Sequence, residues 1–304
     1  MKPTDARPAR VGDRFDARVT ATYGRNCGLV DDAGRLWSAI RRGRRNDVVV
    51  GDRIRALTAG PGQAAIESIE PRRSLLYRAD AWRTKELAAN IDQVVIVFAS
   101  RPTFNLWFIW KALLAAHAAG IGALVVRNKA DLDDGAEAAR NALSGIDALG
   151  VTTVSVSARA EPDRTREQLS PLLNARDSLL VGESGMGKST LLNLLVPDAG
   201  ARTREFSERL DGGKQTTTAA RWFALPAGGA LVDTPGFSEF GLAHIDANAL
   251  PATFADFAPY LGRCRFLDCR HLVEPDCAIR AAVDAGTISP ARYAFYAALA
   301  REAT

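Results

Sequence analysis

The chain contains 304 residues, of which 47% are hydrophobic and 24% charged, and its net charge is +4; these values are typical of a globular protein in water. Its length exceeds what one hydrophobic core usually serves, so two or three domains are expected. It has no run of about 18 apolar residues, and no apolar stretch follows its polar N-terminus. We therefore expect a cytoplasmic protein with neither a membrane span nor a secretory signal.

The first quarter of the chain has the pattern of a small β-barrel. Short stretches rich in β-branched and aromatic residues, separated by Gly and Asp turns, predict five strands. These strands are expected at residues 15–22, 36–40, 48–50, 53–57 and 64–69. Such a set fits an OB-fold, a barrel that binds oligonucleotides on one face. We expect this domain to span residues 1–75 and Cys27 to be a buried thiol.

Positive charge is concentrated in the same domain, since residues 1–75 hold 15 Lys/Arg against 9 Asp/Glu. Four arginines fall in residues 41–45, between two expected strands, where guanidinium groups suit phosphate contacts. A solvated loop is the alternative, but a barrel of this type beneath the loop favours an RNA contact. Tyr23 and Trp37 are candidates for stacking on bases, and a position in the core is the alternative for Trp37.

A second domain is expected at residues 76–245, with the polar, aperiodic stretch 78–84 linking it to the barrel and its sheet beginning at residues 93–98. Asn128, Lys129 and Asp131 form the pattern Asn-Lys-x-Asp directly after an apolar strand, where ligands bind in open α/β sheets. An Asp here can accept hydrogen bonds from the ring N–H and exocyclic amine of guanine, which adenine cannot offer together. Four such residues are a weak signal alone.

A further pair supports guanine recognition, because Ser157 and Ala158 end another expected strand and would contact the guanine oxygen. The strongest motif is Gly-Glu-Ser-Gly-Met-Gly-Lys-Ser at 182–189, which fits the phosphate-loop pattern in full between an apolar strand and a helix. Its backbone N–H groups would hold phosphate oxygens. The residues expected to contact the nucleotide are Gly182, Glu183, Ser184, Gly185, Met186, Gly187, Lys188, Ser189 and Thr190. Lys188 is also expected to act in catalysis, and Ser189 to bind Mg²⁺.

Two later motifs complete a nucleotide switch. Asp233 and Gly236 belong to Asp-Thr-Pro-Gly at the end of a strand, the pattern of a carboxylate that supports Mg²⁺ and a glycine that senses the γ-phosphate. Within the threonine run 216–218, Thr217 is favoured as the hydroxyl that closes on Mg²⁺. Many GTPases carry a water-orienting Gln directly after that glycine, but this chain has Phe237. Gln215 is the nearest replacement, so slow hydrolysis alone and stimulation by a partner are expected.

The order of these motifs is unusual, because the guanine motif precedes the phosphate loop, whereas ordinary GTPases have the reverse order. With this order and the segments 85–93, 213–218, 233–242 and 264–277, the chain resembles the ribosome small-subunit-dependent GTPase family. The resemblance implies an OB-fold barrel, a circularly permuted α/β P-loop GTPase domain and a mainly helical zinc-binding domain. It also implies GTP hydrolysis stimulated by the small ribosomal subunit during its late maturation, with rRNA as a partner. The family commonly has a His where this chain has Gln215.

The cysteines predict a metal site by their own spacing. Cys264, Cys269, His271 and Cys277 offer three thiolates and one imidazole, a closed tetrahedral set that suits structural Zn²⁺. A disulfide is the alternative, which a cytosolic chain disfavours. We expect the zinc-binding domain to span residues 246–304, with its last helix beginning at the Ser-Pro pair 289–290.

Two other function classes stay open from the motifs alone. An ATPase or nucleotide kinase would use Lys188 without needing Asp131. A non-hydrolysing RNA-binding protein could retain GTP for structure. We also expect a monomer.

Overall fold

The computed structural model describes residues 10–23, 26–40, 48–80, 83–197, 199, 220–234, 240–242 and 244–302. Its strands are β1 (Arg14–Tyr23), β2 (Asn26–Asp31), β3 (Leu36–Ile40), β4 (Arg53–Gly60), β5 (Gln63–Ile69), β6 (Leu75–Asp80), β7 (Arg83–Ala89), β8 (Gln93–Ala99), β9 (Gly122–Asn128), β10 (Thr152–Ser155), β11 (Asp177–Val181), β12 (Arg221–Ala224) and β13 (Ala230–Asp233). Its α-helices are α1 (Leu106–Ala118), α2 (Ala136–Asp147), α3 (Pro162–Leu173), α4 (Lys188–Leu195), α5 (Ala278–Asp284) and α6 (Pro290–Glu302).

The expected N-terminal barrel is confirmed, with one strand different from the prediction. Its strands run β1–β2–β3–β5–β4, and β4 pairs back with β1 to close it. The prediction of a strand at 48–50 was wrong: these valines are buried but form no strand, and Val50 makes an isolated β-bridge to Ala88. The missing fifth strand is β2, whose Gly28 and Asp31 resemble turn residues in the sequence.

The central domain is a parallel sheet in the order β10–β9–β8–β11–β13. Helices cover both faces, so every residue of β8 and β11 is buried. After the polar residues at its start, each strand is a continuous apolar run rather than an alternation of apolar and polar residues. Along β8, Ile96 faces the core shared with α1 and α2, while Val97 faces the core shared with α3 and α4. This arrangement brings the carboxyl ends of five strands to one edge.

Strand β12 joins the barrel to the central sheet. It pairs antiparallel with β13 on one side, and Ala21 of β1 pairs with Arg221 on its other side. The two domains therefore share one continuous eleven-stranded sheet.

The interpretation of residues 78–84 as an aperiodic linker was wrong, because β6 and β7 pair there as an antiparallel hairpin. Below the hairpin, Asn90 donates from Nδ2 to the Gly51 carbonyl at 3.0 Å. Gly51 has a φ of +89°, and a Cβ there would lie 2.1 Å from the Ala89 oxygen. Glycine at position 51 thus allows the barrel turn to lie directly against the hairpin.

The C-terminal region packs against α1 through aromatic rings. Two 3₁₀-helices, Leu250–Thr253 and Ala255–Tyr260, precede the metal loop, and α6 begins at Pro290 as expected. Arg292 is buried between the rings of Trp110 and Phe254 and pairs with Asp256. Among the described residues, no helix combines the length and apolar character that a membrane span requires.

Candidate functional site

The phosphate loop connects buried β11 to α4, as the sequence predicts. Gly182 and Gly187 have φ angles of +154° and +95°. A Cβ at Gly182 would lie 2.2 Å from the Val97 oxygen, and one at Gly187 would lie 2.2 Å from Nδ2 of Asn128. Glycine at these positions lets the backbone curl so that the N–H groups at the start of α4 face the cavity beyond β11.

Replacing Gly187 with alanine should weaken nucleotide binding by at least about tenfold, because the added methyl group would separate the loop from Asn128 while the backbone stays in a left-handed conformation. Gly34→Ala is the matched control, since Gly34 also has a positive φ, +75°, but open space around its Cβ. Titration with a fluorescent GDP analogue measures both. Equal affinity of the two variants would contradict the expected clash.

Asn128 links three segments by hydrogen bonds. It ends β9, is buried, donates from Nδ2 to the Met186 carbonyl at 3.0 Å, and accepts from the Ala158 N–H through Oδ1 at 3.1 Å. Its amide thereby holds the phosphate loop and the end of β10 against the guanine motif. An Asp or Leu here would lose one or both of these bonds.

The neighbouring residues extend the same network. Lys129 donates from Nζ to the carbonyls of Gly185 at 2.7 Å and Arg101 at 3.0 Å. The Asp131 N–H donates to Oγ of Ser157 at 3.0 Å, and the Asp131 side chain is exposed. The Asp131 carboxylate is thus held at the mouth of the cavity with its oxygens available to a ligand.

One cavity of about 780 Å³ lies between these segments. Its volume is in the range of small-molecule sites. Asp131, Lys188 and Asp233 all line it, and Lys188 and Asp233 are close enough to interact electrostatically. The lining residues are Asn128, Lys129, Asp131, Leu132, Arg159, Ser184, Gly185, Gly187, Lys188, Ser189, Thr190 and Asp233. Segments that are far apart in the sequence therefore meet at one site.

Lys188 and Asp233 carry opposite charges in this cavity. Burial lowers the pKa of Lys188, and the carboxylates of Asp233 and Glu183 act in the opposite direction. Burial raises the pKa of Asp233, and Lys188 provides the largest opposing effect. Nζ of Lys188 donates to the loop carbonyls of Gly182 at 2.6 Å and Glu183 at 2.9 Å. An ammonium group partly removed from water is thus held by the loop that would surround a phosphate.

Five of the described residues predicted to contact the nucleotide are not among those that line this cavity: Ser157, Ala158, Gly182, Glu183 and Met186. The Glu183 carboxylate accepts from the N–H of Asn105 at 2.8 Å, at the start of α1, and Met186 is buried in the core beside α4. Ser157 and Ala158 lie behind the guanine motif. Gln215, Thr217 and Gly236 lie outside the described residues.

Two lining residues were missed from the sequence. Leu132 directly follows Asp131, and Arg159 directly follows the Ser157–Ala158 pair, and both line the cavity. Their adjacency to the guanine motifs was the available signal. Arg159 is exposed, so its side chain can reach toward a ligand at this end.

The four predicted metal ligands form one cluster. The ligand atoms of Cys264, Cys269, His271 and Cys277 all lie within 4.8 Å of one another. Nδ1 of His271 lies 3.4 Å from the sulfur atoms of both Cys264 and Cys277. The cluster could hold a metal ion, with Nδ1 as the imidazole ligand.

Backbone contacts fix the loop that carries these ligands. The hydroxyl of Tyr293 donates to the His271 carbonyl at 2.8 Å, and the hydroxyl of Tyr296 donates to the Arg270 carbonyl at 2.7 Å. Burial opposes ionisation of Glu274, but backbone N–H groups that donate to its carboxylate lower its pKa to about 2. Glu274 and α6 therefore stabilise the loop from two sides.

Of the two predicted stacking residues in the barrel, Trp37 lies in the core. It is buried, its Nε1 donates to Asp31 at 2.9 Å, and its ring stacks on Phe15. The Tyr23 ring faces the guanidinium of Arg221. The arginine run 41–45 lies outside the described residues.

Comparisons with known proteins agree with this geometry. The family model described as RsgA GTPase matches residues 69–243. The chain is 44% identical over 301 residues to the small ribosomal subunit biogenesis GTPase RsgA of Burkholderia pseudomallei, covering 98% of this chain and 96% of that protein. A relative of the same name from Paraburkholderia xenovorans is 45% identical over 297 residues, covering 96% and 94%.

Two solved structures share the fold. The crystal structure of YjeQ from Thermotoga maritima has a TM-score of 0.74 at 28% identity, covering 96% of this chain and 99% of that one. The structure of YloQ, described as a circularly permuted GTPase, has a TM-score of 0.70 at 22% identity, and coverage is 98% of both chains.

Proposed function

The chain belongs to the RsgA GTPase family and is a GTPase, and from that premise we propose that it hydrolyses GTP to GDP and phosphate on the small ribosomal subunit, late in the maturation of that subunit. The observation that carries the proposal is that Asp131 and Lys188 line one cavity. A guanine-reading carboxylate and a phosphate-binding ammonium group lie at one site despite their reversed order in the chain. The names of the relatives supply the subunit as partner.

Different residues of the cavity bind the base and the phosphates of GTP. Asp131 accepts hydrogen bonds from guanine. If adenine bound instead, the Asp131 carboxylate would be left unpaired, which disfavours adenine. Lys129 lies along the base, and the loop N–H groups and Lys188 hold the phosphates. Lys188 acts where charge develops during transfer of the γ-phosphoryl group.

The donor set beside Lys188 fits Mg²⁺. Ser189 and Asp233 line the same cavity as Lys188, and their hydroxyl and carboxylate are the hard oxygen donors that Mg²⁺ takes together with substrate phosphates. When bound, the ion would neutralise charge on the β- and γ-phosphate oxygens. Within the switch segments, Thr217 and Gly236 are proposed to sense the γ-phosphate. Gln215 is proposed to position the attacking water.

The metal cluster is proposed to hold one structural Zn²⁺. Three sulfur atoms and one ring nitrogen fill a tetrahedral shell and leave no open position for a substrate. This ion would stabilise the region that we propose as a third domain, residues 246–304. The first two are proposed at 1–75 and 76–245.

Contact with rRNA is proposed for the barrel domain. Residues 1–75 carry an excess of six positive charges, and Lys and Arg that neutralise phosphates provide most of the sequence-independent affinity for nucleic acid. We propose a cytoplasmic monomer that reaches the subunit through this charge.

GTP turnover measured with and without purified small subunits tests the function. We expect slow turnover alone, because Phe237 cannot orient water, and stimulation of at least about tenfold by saturating subunits, within the range that partners give other GTPases. Excess GDP should inhibit and excess ADP should not. Rapid turnover of the protein alone, or equal competition by ADP, would contradict the proposal.

A further inference from the structure

Strand β12 contacts both the barrel and the wall of the nucleotide cavity. Arg221, its first residue, pairs with Ala21 of β1 and, on the opposite edge, with Asp233 of β13. The strand begins three residues after Thr218 of the threonine run. Arg221 is therefore one of the residues through which β1 contacts the central sheet.

The side chain of Arg221 is buried and lies between the Asp233 carboxylate and the Tyr23 ring. Directly opposite residues in an antiparallel pair point to the same face, so the guanidinium lies on the face that carries the Asp233 carboxylate. The charge of Arg221 is within electrostatic reach of Asp233. On the barrel side, the guanidinium carbon lies 6.0 Å from the centroid of the Tyr23 ring, within the distance of a cation–π contact.

A second contact from the barrel reaches the same strand. The guanidinium of Arg18 lies 5.5 Å from the ring of Trp222 and pairs with Asp177, the first residue of β11. The barrel therefore contacts β11, which leads into the phosphate loop, and β12, which pairs with the strand that ends at Asp233. The barrel is thus connected to the cavity by side chains as well as by the sheet.

We propose that Arg221 is a positioning residue for GTP hydrolysis, whose guanidinium, held by the Tyr23 ring, orients the Asp233 carboxylate and couples the barrel to the nucleotide cavity. The role of Arg221 in turnover stimulated by the small subunit rests on the proposed function. A barrel bound to RNA would hold β1, Tyr23 and Arg221 in one arrangement, and the Asp233 carboxylate would be held with them.

The test is a double-mutant cycle with Tyr23→Leu and Arg221→Met, read in subunit-stimulated turnover. Loss of a partly buried cation–π contact should lower kcat about three- to tenfold in Tyr23→Leu. Loss of the charge itself should lower kcat about 10- to 100-fold in Arg221→Met. Because Tyr23 acts through Arg221, the double variant should be no slower than Arg221→Met alone.

Controls separate positioning from damage to the fold. Phe15→Leu removes a barrel ring that stacks on Trp37, away from β12, and should keep the wild-type kcat. Arg221→Lys retains the charge and should recover part of the rate. The KM for GTP and the Kd for GDP should change less than about threefold throughout, since ground-state binding is kept.

Additive effects of the two substitutions, a wild-type rate in Tyr23→Leu, or parallel loss of GDP affinity and kcat would each overturn the proposal. If subunits fail to stimulate the wild-type protein, the proposed function fails instead. The same double-mutant cycle is then measured in basal turnover without subunits. Equal basal rates of the wild type and all three variants would overturn the role of Arg221, whatever the outcome for the proposed function.

Discussion

Replacing Cys277 with serine should remove bound zinc and unfold the metal loop. Structural zinc contributes on the order of 10 kcal/mol to folding in small zinc domains, and loss of one thiolate removes much of that free energy. The region packs on α1 through Phe254, Phe295 and Trp110, so its disorder should also loosen this core. We expect the metal content to fall from about one ion per chain to near zero, and the thermal midpoint to fall by at least about 10 °C.

Cys27→Ser is the matched control for this change. Cys27 is also fully buried, but it lies in the core of the barrel and outside the cluster. Its substitution should cost about 1–2 kcal/mol of stability, in the range of ordinary core changes, and leave the zinc content intact. Metal analysis by atomic emission and a thermal melt measure both variants. A Cys277→Ser protein that keeps one tightly bound zinc ion would exclude the proposed ligand set.

Replacing Lys188 with methionine should lower kcat for GTP about 10²- to 10³-fold, the loss that removal of one preorganised donor causes in other enzymes. The ammonium group is partly buried and lies in the same cavity as Asp233, so its charge is poorly screened by water. Affinity for GTP should fall more than affinity for GDP, because Lys188 is proposed to reach the γ-phosphate. Single-turnover hydrolysis and titrations with both nucleotides measure these effects.

Lys111→Met makes the same chemical change on α1, outside the nucleotide cavity. This variant should keep wild-type turnover. If Lys188→Met hydrolysed GTP within about threefold of the wild-type rate, donor stabilisation by this residue would be absent and its catalytic assignment would be wrong.

The parts of the site that follow from local chemistry could be predicted from the sequence. A phosphate loop needs glycine where the backbone turns, as Gly182 and Gly187 show, and the apolar runs on both sides identify its strand and helix. The cysteine spacing likewise predicted a cluster that the structure brings together. These patterns lie within short segments, so they do not depend on the rest of the fold.

The parts that depend on distant contacts could not be predicted. Asn128 was predicted as part of the guanine motif, but nothing in its own segment indicates that its amide forms hydrogen bonds with Met186 and Ala158. Strand β2 was missed because Gly28 and Asp31 are typical of turns. The stretch 48–50 was apolar for a different reason, since these valines are buried without forming a strand. Burial and pairing are separate properties, and an apolar run reports only the first.

The shared sheet also determines how this protein can be dissected. In a fragment that lacked the barrel, β12 would be the last strand of the central sheet, with unpaired N–H and C=O groups along its outer side. Such an edge is a template for pairing with another chain and hence for aggregation. The barrel interrupts this edge where Ala21 pairs with Arg221, so we expect a fragment without the barrel to self-associate more readily than the whole chain.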